Sequence, residues 1–174
     1  MLSERTVMPQ KQRRYSLKSK QTKQLLNEIS ERLNVNVEAF FGPKVNVEIV
    51  ESSIGNIYLV NNKPLFFKIE ERLFPTLLFQ DFVSLAPKIV VDMGAIPYVC
   101  NGADVMAPGI VRVEGEFAMG DLILIIDEKH GKPLAVGESL QDSKSVRNTR
   151  QGAVVKNVHY VSDKIWNFSK TLIG

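Results

Sequence analysis

The chain has 174 residues, 44% of them hydrophobic and 24% charged, a mixture that suits a globular protein with a core of useful size in one or two domains. No run approaches the roughly 18 consecutive apolar residues of a membrane span, and the first residues lack the apolar stretch of a secretory signal, so the expected place is the cytoplasm with no membrane partner. The net charge of +3 conceals an uneven distribution: residues 1–24 hold seven Lys/Arg (Arg5, Lys11, Arg13, Arg14, Lys18, Lys20, Lys23) against Glu4, whereas the rest hold 15 bases and 18 acids. A basic end suits a polyanionic partner, because each cation that meets a phosphate releases counterions. A solvated, partly disordered leader accounts for it equally well.

In chain order, Ser19 is placed to cap a helix on which Leu25, Leu26, Ile29 and Leu33 recur at helical spacing, Glu28 and Arg32 pair, and Asn34 ends the run. Val45, Val47 and Ile49 then alternate with polar residues. Residues 57–60 and 65–67 flank Asn61-Asn62-Lys63-Pro64, a hairpin signal because Asn tolerates positive φ. Residues 73–85 are apolar without a clear period and fit a short helix or a buried loop. Pro87 marks the expected boundary between residues 1–87 and 88–174. Beyond it come short β-runs at 88–92, 104–106, 122–127, 133–137 and 154–161, separated by turns, the pattern of a small barrel with few open edges.

Reactive groups are sparse. His130 stands in a predicted turn and His159 in a predicted strand; neither has metal-ligand spacing, and the sequence holds no GxSxG, phosphate-loop or GxGxxG motif, so no catalytic residue, metal or cofactor is expected. His159 reads as a satisfied strand histidine, and Cys100, without a second thiol to pair with, as a small core residue of a reducing compartment. Asp127 and Glu128 read as a solvated corner, and Asp104 and Asp121 as ordinary turn positions.

Two stretches stand apart. In VDMGAIPYVCNGADVMAPGI (91–110), Gly94 and Gly102 bracket at most about two helical turns, and Gly102-Ala103 leads into a strand that Pro108-Gly109 ends. Such a loop lets backbone N–H groups approach a phosphate or a base edge; it equally makes a sharp strand–helix–strand corner. In SKSVRNTRQG (143–152), a polar loop presents Lys144, Arg147 and Arg150 at three-residue intervals, and Arg donates a planar fork to phosphate.

VDMGA, NGADVMAPGI, LAVGES and GAVVKNVHYV, in this order, resemble a PUA domain over about residues 88–166. VNNKPLFFKIEERLFPTLLF and VKNVHYVSDKIW extend the likeness to the malignant T-cell-amplified-sequence family and its archaeal relatives, over all but about the first fifteen residues. The short length and basic leader look like a free-standing archaeal member. The resemblance implies an α+β fold, an N-terminal α/β pre-PUA domain followed by a C-terminal PUA β pseudo-barrel. It implies RNA lying against Gly94, Ala95, Asn101, Gly102, Ala103, Asp104, Val105 and Met106, with the glycine-loop backbone reading the RNA and Met106 offering an apolar contact. Charge adds Arg112, Lys144, Arg147 and Arg150, and Lys129 is expected to lie away from the loop. The implied role is non-enzymatic RNA binding in translation initiation or recycling, with tRNA or rRNA, the small ribosomal subunit and a density-regulated-type partner protein. Two other readings are an RNA-targeting accessory subunit of an RNA-modification enzyme and a protein adaptor docking through residues 73–85.

Overall fold

A computed structural model describes residues 12–173; Arg5 and Lys11 of the basic leader lie outside the described residues. The chain divides into two units, one holding residues up to Phe79 together with those from Lys164 onward, the other Gln80–Asp163.

The first unit is an antiparallel meander in which β1 (Arg13–Ser16), β2 (Val47–Ser52), β3 (Gly55–Val60), β4 (Lys63–Ile69) and β5 (Arg72–Pro75) pair in chain order, with α1 (Ser19–Leu33) and α2 (Val37–Phe41) between β1 and β2. Helix α1 is capped one residue earlier than expected, by Lys18 rather than Ser19, and the Lys18 N–H is taken up by the Gln21 side chain (3.3 Å). It ends at Asn34, whose left-handed backbone (φ 52°) breaks the helical path. The β3–β4 hairpin turns on Asn61 and Asn62 alone, at φ 49° and 70°, so Lys63 and Pro64 already belong to the strand. Leu25 and Ile29 of α1 bury with Ile57, Leu59, Phe66 and Phe67, each fully buried side chain contributing roughly 1.5–3 kcal/mol. The last helix, Lys164–Thr171, adds Ile165 and Phe168 to this unit.

Strand β1 is formed by the basic segment. Its Arg14 forks onto Glu48 (3.1 and 3.0 Å), and the Tyr15 hydroxyl donates to Glu51 (2.7 Å). The apolar tract 73–85 resolves into β5, a turn held by buried Thr76 donating to the Pro64 carbonyl (2.8 Å), and α3 (Gln80–Leu85).

The second unit continues with β6 (Lys88–Val91), a 3₁₀ turn (Met93–Ala95), α4 (Ile96–Val99), β7 (Val105–Met106), a second 3₁₀ turn (Ala107–Gly109), β8 (Ile110–Glu114), β9 (Leu122–Asp127), β10 (Pro133–Ser139), α5 (Ser143–Asn148) and β11 (Ala153–Tyr160). The sheet runs β7-β11-β10-β9-β6-β8, with β6 and β9 parallel and the other pairs antiparallel. Strands β7 and β8 stand at opposite ends of that order, yet only three residues join them, so the sheet must curl toward closure. Ile89, Val91, Val99, Val105, Ile123, Ile125, Ala135 and Val155 fill the interior of this half-barrel.

Three local readings change. Pro108-Gly109 ends β7 but also launches β8, which was not foreseen. Residues 143–148 are helical rather than loop: Asp142 caps the helix by accepting the Ser145 N–H (2.7 Å), and Val146 inserts into the core. Asp127 is no solvated corner. It is 3% exposed, and its carboxylate accepts the N–H groups of Lys129, His130 and Lys132, building the β9–β10 turn around itself. Those bonds, the one from His130 foremost, hold its carboxyl below the usual carboxylate range.

Candidate nucleic-acid interface

The glycine loop is anchored at its start by two carboxylates. Asp92 accepts the Ala95 N–H (2.9 Å), and Glu128, reaching across from the β9–β10 turn, accepts the Met93 N–H (3.3 Å). Val99 then enters the core, and half-buried Cys100 has its thiol pushed up by desolvation, away from the reactive thiolate. At the other end the Asn101 and Ala103 N–H groups bond to the Tyr98 carbonyl (3.1 and 3.0 Å) and the Gly102 N–H to the Val99 carbonyl (3.0 Å). The backbone donors expected to reach a ligand at Ala95, Asn101, Gly102 and Ala103 therefore have partners inside the loop.

The two glycines differ in kind. Gly102 sits at φ 91°, and an added Cβ would meet the Tyr160 ring at 3.0 Å, so backbone conformation and close packing both require it. Gly94 has no positive φ, is exposed, and would place a Cβ 3.4 Å from Asp92 Oδ1 and near nothing else.

Of the other loop residues, Asn101, Ala103, Asp104 and Met106 are exposed and Ala95 is half-buried. The alternation of β7 turns Val105 into the core at 2% exposure and leaves Met106 outside at 50%. Asp104 accepts the Asn157 N–H (2.9 Å), and the Asn157 amide donates to the carbonyls of Val99 and Ala103. This fastens the loop to β11.

The cations fall into two groups. Arg112 is paired with Glu114 (2.9 Å) on β8; Arg147 donates to Glu116 (2.9 Å) and to the Gly115 carbonyl (2.9 Å). Arg150 is exposed just before the segment that meets β7, where the Gly152 carbonyl accepts the Ala107 N–H (2.9 Å) and Ala153 pairs with Met106. Lys144 is exposed on the first turn of α5.

Sequence reasoning overlooked three lysines. Lys129, expected to lie away from the loop, follows Glu128, whose N–H donates to the Val91 carbonyl (3.0 Å) and whose carboxylate accepts the Met93 N–H at the start of the loop. Lys132 ends the same turn, and exposed Lys156 precedes Asn157, the residue that grips Asp104. Among the described residues the side chains of Lys129, Lys132, Arg150 and Lys156 make no ion pair or hydrogen bond. Also among the described residues, no cluster of His, Cys, Asp and Glu has metal-binding geometry, and no helix is long and apolar enough to cross a membrane. His159 is fully buried, with Nδ1 2.8 Å from Asp163 Oδ2.

A curled six-stranded half-barrel with a helix-to-strand glycine loop, preceded by an α/β meander, defines a PUA-domain protein. Residues 87–161 match the PUA domain and residues 13–80 match the Domain of unknown function (DUF1947). Over 158 residues the chain is 41% identical to Uncharacterized protein MJ1432 of Methanocaldococcus jannaschii, covering 90% of this chain and 96% of that one. It is 29% identical to Translation machinery-associated protein 20 of Eremothecium gossypii (88% and 87% covered) and 31% identical to Malignant T-cell-amplified sequence 1 of Rattus norvegicus (64% of each). A hypothetical protein of Pyrococcus horikoshii shares the fold at a TM-score of 0.76 and 31% identity, covering 90% of this chain and 99% of that one. The chain belongs to this family of PUA-domain proteins, in which Malignant T-cell-amplified sequence 1 also stands.

Proposed function

We propose that the protein binds structured RNA, tRNA or small-subunit rRNA, as a non-catalytic member of the translation machinery, and that it works in initiation or recycling beside a density-regulated-type partner protein. The observation that carries this reading is that the PUA half-barrel holds, besides the exposed glycine-loop face, four exposed cations with no ion pair or hydrogen bond among the described residues. Kinship with proteins named for the translation machinery supports it. Gly94, Asn101, Ala103 and Met106 present surface to the RNA, Asp104 orders the loop through β11, and Ala95, Gly102 and Val105 shape it from beneath. Arg150 and Lys144 contact phosphate, whereas Arg112 and Arg147 first have to leave their acid partners. The RNA-contacting domain lies beyond Pro87, within residues 88–174.

The test is filter binding of tRNA across a salt series. Affinity in the micromolar range or tighter should fall linearly on a log–log plot, by close to one unit of slope per phosphate neutralised. No retention of tRNA even at low salt would remove the reading.

A further inference from the structure

The first unit sorts its cations along its strands. Three pieces of backbone meet at the end of the meander where β2 begins. The Leu17 N–H, just before α1, donates to the Val47 carbonyl (2.9 Å). The Asn61 N–H donates to the Asn46 carbonyl (2.8 Å), and the Asn61 side chain accepts the Asn46 N–H (3.0 Å). Lys63 pairs with Val60, which in turn pairs with Val47. The start of α1, the segment before β2 and the β3–β4 turn therefore lie together. They carry Lys20, Lys23, Lys44 and Lys63, all exposed, and among the described residues none of the four makes an ion pair or hydrogen bond. Against them stand Glu48, already forked by Arg14, and Glu38 on α2.

The opposite end is mixed. Where β4 passes to β5, Lys68 meets Glu28 (2.9 Å), Arg32 and Arg72 lie over Phe74, and Glu70 and Glu71 form the turn. Cations there alternate with acids or rest on a ring. Helix α1 runs between the two ends, with Lys20 and Lys23 near its start and Glu28 and Glu31 further along. A helix dipole favours acids in the first turn, and α1 has none there, so the stability of the helix does not account for its lysines.

The spacing of the four suits a polymer. Lys20 and Lys23 are neighbours on one helix face, roughly 5–6 Å apart at Cβ. The segment bearing Lys44 leads into β2, two strand spacings, about 10 Å, from β4 and its Lys63. A single small anion cannot meet all of them, whereas a chain with a charge every few ångströms can. Among the described residues no large apolar side chain is exposed on these segments, so the surface offers a base nothing to stack on.

We infer that this end of the meander is a second RNA-contact surface, where Lys20, Lys23, Lys44 and Lys63 hold backbone phosphates without regard to base sequence. The inference rests on the RNA-binding reading, whose contacts lie beyond Pro87, and adds a surface outside them.

The test is filter binding across a salt series with two tRNAs of different sequence. Lys20→Gln with Lys23→Gln, and separately Lys44→Gln with Lys63→Gln, should each weaken binding roughly tenfold at low salt and lower the salt slope by about two units, equally for both tRNAs. Because all four side chains are exposed, thermal unfolding should match wild type. Adding Glu70→Gln and Glu71→Gln to the second pair restores the net charge at the other end of the sheet and should leave binding weak. Recovery there would overturn the inference by showing that only total charge matters. Displacement of tRNA by polyglutamate at equal charge concentration would overturn it in favour of an acidic protein. Wild-type affinity and slope in both lysine pairs would overturn it and leave the RNA-binding reading intact, and failure of the wild-type protein to bind either tRNA would remove both.

Discussion

Each unit holds paired and unpaired cations, and the two units place them differently. In the first, Arg14 forks onto Glu48, Lys68 meets Glu28 at 2.9 Å, Arg32 and Arg72 lie over the Phe74 ring at 5.3 and 5.4 Å, and Arg13 lies over Tyr15 at 4.9 Å. In the second, the side chains of Lys129, Lys132, Arg150 and Lys156 are exposed and make no ion pair or hydrogen bond among the described residues. Among the described residues, exposed Lys20, Lys23, Lys44 and Lys63 of the first unit also lack an ion pair or hydrogen bond, and Arg112 and Arg147 of the second have acid partners, so what sets the half-barrel apart is that four of its unpaired cations stand in segments bonded to the glycine loop or next to such segments. Charge density along a chain and charge available to a partner are different quantities, because a cation held by a carboxylate must break that contact before it meets a phosphate.

Four measurements test how the half-barrel and its cations contribute. The largest effect is expected at Gly137, where an added side chain would run into Val155 and the Lys156 carbonyl (2.7 Å from the added Cβ) across the β10–β11 pair. Gly137→Val should cost about 3 kcal/mol in urea unfolding and abolish RNA binding with it, since β11 carries both Lys156 and the grip on Asp104. Next, Arg150→Glu with Lys156→Glu should weaken tRNA binding more than tenfold and flatten the salt slope by about two units. Arg14→Ala should leave tRNA binding unchanged and cost about 0.5 kcal/mol in stability, as exposed pairs do. An equal loss of binding in Arg14→Ala would end the contrast between the units. Third, Gly102→Ala should cost about 1–2 kcal/mol through its positive φ and the Tyr160 contact, whereas Gly94→Ala should leave the melting temperature where it is. Gly94→Ala is therefore the cleaner probe of the loop surface.

The smallest effect concerns two carboxyls held down by different means. The Arg14 hydrogen bond lowers Glu48, and backbone N–H groups lower Asp127. Both folded-state values lie below those of the unfolded chain, so the stabilisation is complete above the ordinary carboxylate range and fades as pH falls through the depressed values. Molar salt screens a partly exposed ion pair but not a backbone bond to a buried carboxylate. Carbon-detected NMR titrations in low and high salt should move Glu48 back toward its ordinary range and leave Asp127 in place; equal movement would show that both are held by charge.

What was legible in the sequence follows the same division. Consecutive strands of the meander are neighbours in the sheet, so Asn61-Asn62 and the flanking apolar runs sufficed to place β3 and β4. Strand β1 escaped notice because Arg13, Arg14 and Ser16 are exposed and only Tyr15 is half-buried, leaving little periodicity to detect. Helix α5 read as a loop because six residues with Val146 as their main apolar anchor carry no visible period. In the half-barrel the short strands were legible but their order was not, since β6 pairs with β9 more than thirty residues away. The candidate site shares this limit: Gly94 through Met106 are contiguous and stand out, whereas Glu128 and Asn157, which bond Met93 and Asp104 of the loop, come to it only through sheet order. Asp127 was misread because its partners are backbone N–H groups, which every residue but proline possesses and no pattern reveals.

The two carboxylates that occupy the start of the glycine loop carry one further consequence. Asp92 and Glu128 already hold the Ala95 and Met93 N–H groups and present negative charge at the point where a helix start would otherwise attract small anions. Two of the N–H groups at this helix start are thus unavailable to a small anion. In the RNA-binding reading proposed above, the phosphates of a polymer meet the unpaired cations of the half-barrel rather than this helix start, so inorganic phosphate is expected to be a weak competitor of tRNA beyond its contribution to ionic strength.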